Sequence, residues 1–222
     1  ERFDSVADEA SPVSDDRAAE RDALVERLRE RSYIESDRVA DALRAVPRHE
    51  FLPDGVRSRA YDDRPLSIGN GQTVSAPHMV GLMCELLPAE AADVLEVGTG
   101  CGYHAAVTAE CVAGHVYSVE YDADLAATAR ETFARLGYDD RIAVRIGDGR
   151  EGWAEHAPFD CVYSTCAVPE IPGALREQLR DGGRVIAPVG TAHQTLVTLD
   201  KGEAGSFERS EHGGVRFVRI RG

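Results

Sequence analysis

Lysine is nearly absent from this sequence, and the shortage accompanies an excess of acidic side chains. Lys201 is the only lysine among 25 basic residues, which face 39 acidic ones and leave a formal net charge of −14. This charge argues against a nucleic-acid partner, because phosphate backbones are bound by basic stripes. The composition predicts adaptation to a high-salt cytoplasm or, alternatively, a GC-rich genome, which favours Arg, Ala, Asp and Gly codons.

Long apolar runs and paired cysteines are missing as well. No stretch approaches the roughly 18 apolar residues of a membrane span, and the charged N-terminus lacks the apolar region of a signal peptide. The five cysteines are scattered, without a Cys-x-x-Cys pair or a zinc-ligand spacing. We therefore expect a cytoplasmic protein with free thiols, no metal and no membrane partner.

The signatures of common hydrolytic sites are also lacking. The chain contains no His-Glu-x-x-His, no nucleophile elbow and no distinct pair of catalytic carboxylates. His104, Trp153 and His193 have no partner at a motif spacing, and we interpret them as structural residues. The chemistry must therefore depend on a different pattern.

That pattern lies between Val94 and Tyr103. An apolar run predicts a buried strand, and glycines follow it at every second position: Gly98, Gly100 and Gly102. Glycine allows a sharp turn and a close approach to a ligand, and the helix that follows favours an anion at its N-terminus. Tyr103 occupies the third glycine position of the dinucleotide fingerprint Gly-x-Gly-x-x-Gly. The spacing resembles instead the Glu/Asp-x-Gly-x-Gly-x-Gly of class I methyltransferases, which use S-adenosylmethionine (AdoMet).

Strands alternate with helices from residue 88 onward. We predict strands over residues 93–97, 115–120, 141–146, 159–165, 183–188, 195–199 and 214–220, and helices over residues 103–112, 123–136 and 173–179. This order predicts an α/β fold with a doubly wound, mostly parallel sheet and an antiparallel edge formed by the late strands.

The segment before this core is expected to be a helical appendage. Residues 1–15 are predicted to be a loose tail, and residues 16–87 to carry helices over 16–30, from Ser36-Asp37 to Pro47, and from Pro77 to about Leu87. Ser75 or Ala76 is expected to cap the third helix. Residues 88–222 would form the cofactor-binding core of a single domain.

Two strand ends carry candidate ligand contacts, because ligands of parallel sheets bind at the carboxyl ends of the strands. Glu120 ends its strand 22 residues after Gly98, where an acid can accept hydrogen bonds from ribose hydroxyls. Asp148 ends the next strand and could accept from an adenine amino group, while Gly149 admits the ring. The alternative for this pair is an ordinary Asp-Gly turn.

These segments together resemble protein-L-isoaspartate O-methyltransferases from about Arg21 to Ile220. The segment most specific to that family is Gly-x-Gly-Gln-Thr-x-Ser-Ala-Pro-His, here Gly69–His78. Further matching segments are residues 46–53, 60–66, 94–103, 147–149, 158–160, 165–172 and 182–190. The resemblance implies a Rossmann-like enzyme that methylates the α-carboxylate of L-isoaspartyl residues in damaged proteins and peptides. The ester then closes to a succinimide, which returns partly to aspartate.

The resemblance also assigns residues. Ser75 would be the active-site serine, within a Thr73–His78 loop that lines the cleft. A carboxylate is already ionised near pH 7, so Ser75 is better regarded as a hydrogen-bonding positioner than as a nucleophile. The residues assigned to AdoMet are Ser75, His78, Glu96, Gly98, Thr99, Gly100, Gly102, Glu120, Tyr121, Asp148, Gly149 and Thr165. Those assigned to the substrate are Thr73, Val74, Ala76, Pro188 and Val189.

Two segments depart from the family pattern, and both are expected at the substrate cleft or its wall. Val162–Ala167 reads Val-Tyr-Ser-Thr-Cys-Ala, and Val215–Ile220 ends in Arg219-Ile220 where many members have Pro-Leu. The alternatives are a relative that methylates aspartate in a peptide and a non-catalytic AdoMet-binding paralogue. The intact Thr73–His78 loop favours catalysis. We expect a monomer from a haloarchaeon.

Overall fold

The structure is a computed structural model that describes residues 17–222, so the tail predicted over residues 1–15 lies outside the described residues. The helices are α1 (Ala18–Glu30), α2 (Asp37–Ala45), α3 (Asp54–Arg57), α4 (Pro77–Glu85), α5 (Tyr103–Cys111), α6 (Ala123–Leu136) and α7 (Gly173–Glu177). The strands are β1 (Leu66–Gly69), β2 (Gln72–Val74), β3 (Val94–Val97), β4 (Val116–Glu120), β5 (Ile142–Ile146), β6 (Phe159–Ser164), β7 (Leu179–Val189), β8 (Gln194–Lys201) and β9 (Phe207–Val215).

The main sheet has the order β5-β4-β3-β6-β7-β8-β9. Its first five strands are parallel, whereas β8 and β9 are antiparallel to their neighbours. The prediction of a mostly parallel sheet with an antiparallel edge is therefore confirmed. The chain moves outward from β3 to β5 and then returns to the other side of β3 with β6. This reversal places a ligand crevice at the carboxyl ends of β3 and β6.

Strand β3 is buried on both faces, as its continuous apolar pattern predicts. Val94 belongs to the apolar cluster on one face of the sheet, and Leu95 and Val97 to the cluster on the other. The N-terminal helices extend the first cluster, since Leu24 of α1 and Val39 of α2 are buried in it. Helices α1 and α2 are thus packed on the same face of the sheet as α5.

The N-terminus of α2 is capped by the side chain of its own N-cap residue, whereas the N-terminus of α4 is not. The Ser36 side chain caps α2 by accepting a hydrogen bond from the Val39 N–H at 3.2 Å, as the sequence predicts. In α4 the N-cap residue is Ala76, which has no side chain capable of capping, and Ser75 makes no capping hydrogen bond. Pro77 at the first helical position needs no partner for its nitrogen, and the His78 N–H donates to the Asp63 carboxylate at 2.9 Å, so a side chain from outside the helix caps it.

The last predicted strand, over Gly214–Ile220, is wrong. Strand β9 ends at Val215, and the chain then leaves the ladder and crosses the carboxyl ends of the central strands. Within residues 216–222 only Arg219 makes a bridge, through Ala167, whose N–H donates to the Val218 carbonyl at 2.7 Å. The error has a physical cause. Strand β9 is an exposed edge strand with a polar sequence, whereas Val218 and Ile220 are apolar because they cover a cleft.

Three further expectations concern a membrane span, a metal site and disulfide bonds. No helix within residues 17–222 is long and apolar enough to cross a membrane. No three His, Cys, Asp or Glu side chains in the described part of the chain are grouped closely enough to hold a metal ion. All five cysteines are buried and unpaired.

Candidate active site

A cleft opens at the carboxyl ends of β3, β4 and β6. One wall comes from the strand ends and the other from the β1–β2 hairpin and the C-terminal segment, defined as Val218–Arg221. The lining residues are Ile68, Gln72, Thr73, Val97, Gly98, Gly100, Val119, Glu120, Tyr121, Gly149, Thr165, Cys166 and Val218–Arg221. Its empty volume, including space open to solvent, is about 550 Å³.

The three glycines after β3 all adopt left-handed backbone conformations, with φ of 94° at Gly98, 56° at Gly100 and 91° at Gly102. A Cβ atom on Gly98 would lie 2.5 Å from the Thr165 Oγ1, and one on Gly102 would lie 2.6 Å from the Phe133 ring. Gly98 and Gly100 line the cleft, whereas Gly102 faces α6. Close packing against Phe133 requires a glycine at position 102, and its assignment to the cofactor stays a prediction.

Glu120 lies at the end of β4 with its carboxylate in the cleft. Oε2 accepts a hydrogen bond from the Gly100 N–H at 2.8 Å, and Oε1 accepts one from the Asp122 N–H at 2.9 Å. An ionised carboxylate has about four acceptor positions, so acceptor capacity remains for a ligand's hydroxyl groups. Tyr121 follows it and also lines the cleft with an exposed ring.

Asp148 and Gly149 have different surroundings, although they are adjacent in one turn. Gly149 lines the cleft, and a Cβ there would lie 2.4 Å from a Val97 methyl group. The Asp148 carboxylate is held by Arg150, with Oδ2 2.6 Å from Nη2, and this partner lowers the pKa of Asp148. Its side chain is not part of the cleft wall. Asp148 is thus a carboxylate paired with Arg150, and its contact with an adenine amino group stays a prediction.

Glu96 is fully buried beneath the glycine turn and does not reach the cleft. Its carboxylate accepts hydrogen bonds from the Ser118 hydroxyl at 2.5 Å and the Tyr163 hydroxyl at 2.8 Å. Burial raises the pKa of Glu96 to about 8, although both hydroxyls oppose the shift. Glu96 therefore supports the turn from beneath, and its assignment to the cofactor stays a prediction. Tyr163, one of the departures from the family pattern, supplies a partner that this buried acid needs.

Thr99 extends the same network, since its hydroxyl lies 2.6 Å from the Ser118 Oγ. It faces a small cavity under the glycine turn, which Val74 and Ser75 also line. His104 borders this cavity, and burial lowers the pKa of its imidazole to about 3. Thr99 therefore contacts the residues beneath the glycine turn and does not line the cleft.

A second, wider depression joins the cleft, and we call it the groove. Its walls are the loop from Thr73 to Met79, the turn between β7 and β8, and residues 214–219. The cleft and the groove share four lining residues, so the two spaces meet at Thr73, Thr165, Val218 and Arg219. Ser75 and Ala76 line the groove, whereas Val74 is buried.

Several residues lie elsewhere than the sequence predicts. His78 lines the groove rather than the cleft, and its Nδ1 lies 2.8 Å from the Asp63 Oδ1. His193, interpreted above as structural, also lines the groove. Pro188 and Val189, assigned to the substrate, line neither space. They belong to β7, where the Pro188 carbonyl accepts a hydrogen bond from the Val168 N–H at 2.9 Å.

Two basic residues that sequence reasoning missed hold the loops of the site. The fully buried Arg48 guanidinium donates to the carbonyl of Ser75 at 3.0 Å and to that of Ala60 at 2.5 Å, and burial lowers its pKa. Arg221 donates to the Asn70 carbonyl at 2.8 Å and ties the C-terminal segment to the β1–β2 hairpin. The available signal for Arg48 was its position between the apolar residues Val46 and Phe51.

A seven-stranded sheet with an antiparallel edge, together with a glycine turn and an acid that face one cleft, is typical of a class I methyltransferase. Residues 19–222 match the family described as Protein-L-isoaspartate(D-aspartate) O-methyltransferase. The chain belongs to that family.

Curated relatives and solved structures agree with this assignment. Protein-L-isoaspartate O-methyltransferase 2 of Archaeoglobus fulgidus is 51% identical over 205 residues, which cover 91% of this chain and 93% of the relative. The protein-L-isoaspartate O-methyltransferase of Methanopyrus kandleri is 50% identical over 206 residues, covering 91% of each chain. A solved protein-L-isoaspartate O-methyltransferase superposes with a TM-score of 0.83 at 31% identity, covering 91% of this chain and 66% of that one. A Plasmodium falciparum structure in complex with S-adenosyl-L-homocysteine shares the fold, with a TM-score of 0.78, 23% identity and coverage of 90% and 98%.

Proposed function

We propose that this protein transfers the methyl group of AdoMet to the α-carboxylate of L-isoaspartyl residues in damaged proteins. The observation that carries the proposal is the junction at Thr73 and Thr165, where the cleft and the groove meet. The Thr165 hydroxyl donates to the Gly98 carbonyl at 2.6 Å, so the junction is built on the glycine turn. A methyl donor in the cleft and a carboxylate in the groove would meet at this point.

The residues of the cleft fit AdoMet. Gly98 and Gly100 bring bare backbone to the cleft, and a Cβ on Gly100 would already lie 3.1 Å from the Ile68 side chain. Glu120 has free acceptor positions for ribose hydroxyls, and Val119 and Gly149 offer an apolar wall for a ring. When bound, AdoMet supplies an electrophilic methyl group on a sulfonium sulfur.

The groove has the parts needed to align a carboxylate. Among residues 17–222 the Ser75 hydroxyl has no hydrogen-bond partner, so it is available to donate to a substrate, and Arg48 fixes the Ser75 backbone. The attacking carboxylate is ionised near pH 7 and needs no general base. Alignment and exclusion of water can therefore supply most of the rate enhancement, up to roughly 7–11 kcal/mol.

A methylation assay with matched isoaspartyl and aspartyl peptides tests this function. We expect transfer to the isoaspartyl peptide only, and calorimetry should show binding of S-adenosylhomocysteine but not of NAD. Equal turnover of both peptides would favour a peptide-aspartate methyltransferase. Cofactor binding without transfer to either peptide would favour a non-catalytic paralogue, and tight NAD binding alone would overturn the cofactor assignment.

We further propose a single-domain, monomeric, cytoplasmic protein from a haloarchaeon, without nucleic-acid or membrane partners. The net charge of −14 and the single lysine support adaptation to high salt. The curated relatives named above come from other archaea.

A further inference from the structure

The groove has a charge opposite to that of the protein. Its lining includes Arg216 and Arg219, and no Asp or Glu is among the described residues that line it. The chain as a whole carries 39 acidic residues and a net charge of −14. A cationic groove on such a surface focuses the local field and attracts an anionic partner.

The two arginines are free to bind a ligand. Both side chains are exposed, and within residues 17–222 neither forms an ion pair. Arg219 makes one hydrogen bond, from Nη2 to the Thr191 carbonyl at 3.3 Å. A guanidinium has five N–H donors in a planar fork, so each side chain keeps donors that match a carboxylate.

The backbone that carries these arginines is fixed on both sides. The Gln194 side chain brackets Phe217, accepting from its N–H at 2.7 Å and donating to its carbonyl at 3.1 Å. The Ala167 carbonyl accepts from the Ile220 N–H at 2.9 Å. The two arginines therefore project from a fixed segment, and three residue steps of extended chain separate their Cα atoms by up to about 10 Å.

We propose that Arg216 and Arg219 make the enzyme selective for isoaspartyl peptides with acidic side chains near the damaged residue. The inference rests on the function proposed above and names the substrate class of the same groove. Arg219 borders the junction and Arg216 lies farther along the groove, so carboxylates a few residues apart on one peptide can pair with both. Without these two arginines, an acidic peptide would be repelled by the negative charge of the rest of the protein.

The test uses three isoaspartyl peptides that differ only in flanking residues, which are Glu, Gln or Lys. Methylation kinetics and equilibrium binding of the labelled peptides are measured with the full-length protein at the lowest salt that retains the fold. We expect KM and Kd to rise in the order Glu, Gln, Lys, with a roughly fivefold gain for each arginine paired. The preference should shrink toward molar KCl, because salt screens exposed pairs.

The variants are Arg216→Gln, Arg219→Gln and the double variant, with Arg216→Lys and Arg219→Lys to retain the charge. We expect each Gln variant to lose part of the Glu preference, measured as the ratio of kcat/KM for the Glu- and Gln-flanked peptides, and the Lys variants to keep most of it. Arg209→Gln is the matched control, since it changes the net charge equally at an exposed position of β9 outside the groove.

Three results would overturn the inference. The first is a wild-type enzyme indifferent to flanking charge, and the second is a Glu preference that Arg209→Gln reduces as much as the groove variants do. The third is an Arg219→Gln loss of kcat that is equal for all three peptides, which would assign Arg219 to the reacting carboxylate instead. Failure of the proposed function would appear differently, as no methylation of any isoaspartyl peptide, and the binding measurements would still decide the charge preference.

Discussion

The carboxylate of Glu120 accepts a hydrogen bond from the backbone N–H of Gly100 at 2.8 Å, and this contact joins the end of β4 to the glycine turn. Replacing Glu120 by Gln should raise the Kd for S-adenosylhomocysteine roughly ten- to hundredfold. The amide would place a donor against backbone donors and would lose an acceptor for the ligand, a cost of about 1–3 kcal/mol. Calorimetry measures the effect. Glu131→Gln, at an exposed position of α6, is the control, and equal affinities for the two variants would contradict the role of Glu120.

A side chain at Gly100 should abolish cofactor binding. Gly100→Val would place atoms in the cleft, where a Cβ alone lies 3.1 Å from the Ile68 side chain, at a φ of 56°. Gly137→Val is the matched control, because Gly137 also has a positive φ of 76°, but a Cβ there would meet no atom within 4 Å. Both variants should lose about 1 kcal/mol of stability from backbone strain. Only Gly100→Val should fail to bind S-adenosylhomocysteine by calorimetry.

Ser75→Ala should lower turnover of an isoaspartyl peptide while leaving cofactor affinity nearly unchanged. Loss of a positioning hydrogen bond, with a partner left unpaired, predicts a decrease of roughly tenfold to a few hundredfold. The melting temperature should hardly change, since the structure shows that Ser75 does not cap α4. Ser67→Ala, at an exposed position of β1, serves as the control. Unchanged turnover in Ser75→Ala would remove this serine from the active site.

Stability should fall as the pH rises from 6.5 to 8, because Glu96 has a raised pKa of about 8 in the folded protein against 4.5 when unfolded. The folded state then holds a proton that the unfolded state has released, so each pH unit costs about 1.4 kcal/mol within this window, or about 2 kcal/mol in total. His104 has a folded pKa of about 3 and acts in the opposite direction, but only below pH 6.5.

Denaturant titrations at pH 6.5 and 8 check this prediction. Glu96→Gln should remove the decrease, since a neutral amide can still bond with the Ser118 and Tyr163 hydroxyls. A decrease of the same size in the variant would show that another group is responsible.

The melting temperature should rise between low salt and molar KCl. Screening of like charges relieves the self-repulsion that a net charge of −14 imposes on the folded state. An increase of more than about 5 °C, which corresponds to roughly 2 kcal/mol for a chain of this length, is expected in a thermal melt. A flat melting temperature would instead favour a GC-rich genome as the origin of the composition.

Local patterns predicted much of the fold and the centre of the cleft. The succession of β3 to β7 and their helices along the chain follows from apolar runs and glycines, which are local properties of the sequence. Gly98, Gly100 and Glu120 could be placed together because parallel strands end at one edge of the sheet. The β1–β2 hairpin was not predicted, since its short strands turn through positive φ angles at Gly69, Asn70 and Gly71.

The sequence by itself determined the parallel sheet, the glycine turn and the strand-end acid, because periodicity and glycine spacing act over a few residues. Only the tertiary structure decided which polar groups face the ligand. Glu96 follows the motif yet is enclosed by Ser118 and Tyr163, which come from two neighbouring strands. Arg219 lies in the groove because the chain leaves β9 and crosses the strand ends, a path fixed by contacts with Ala167 and Gln194. Such contacts join residues far apart in the chain, and no local pattern encodes them.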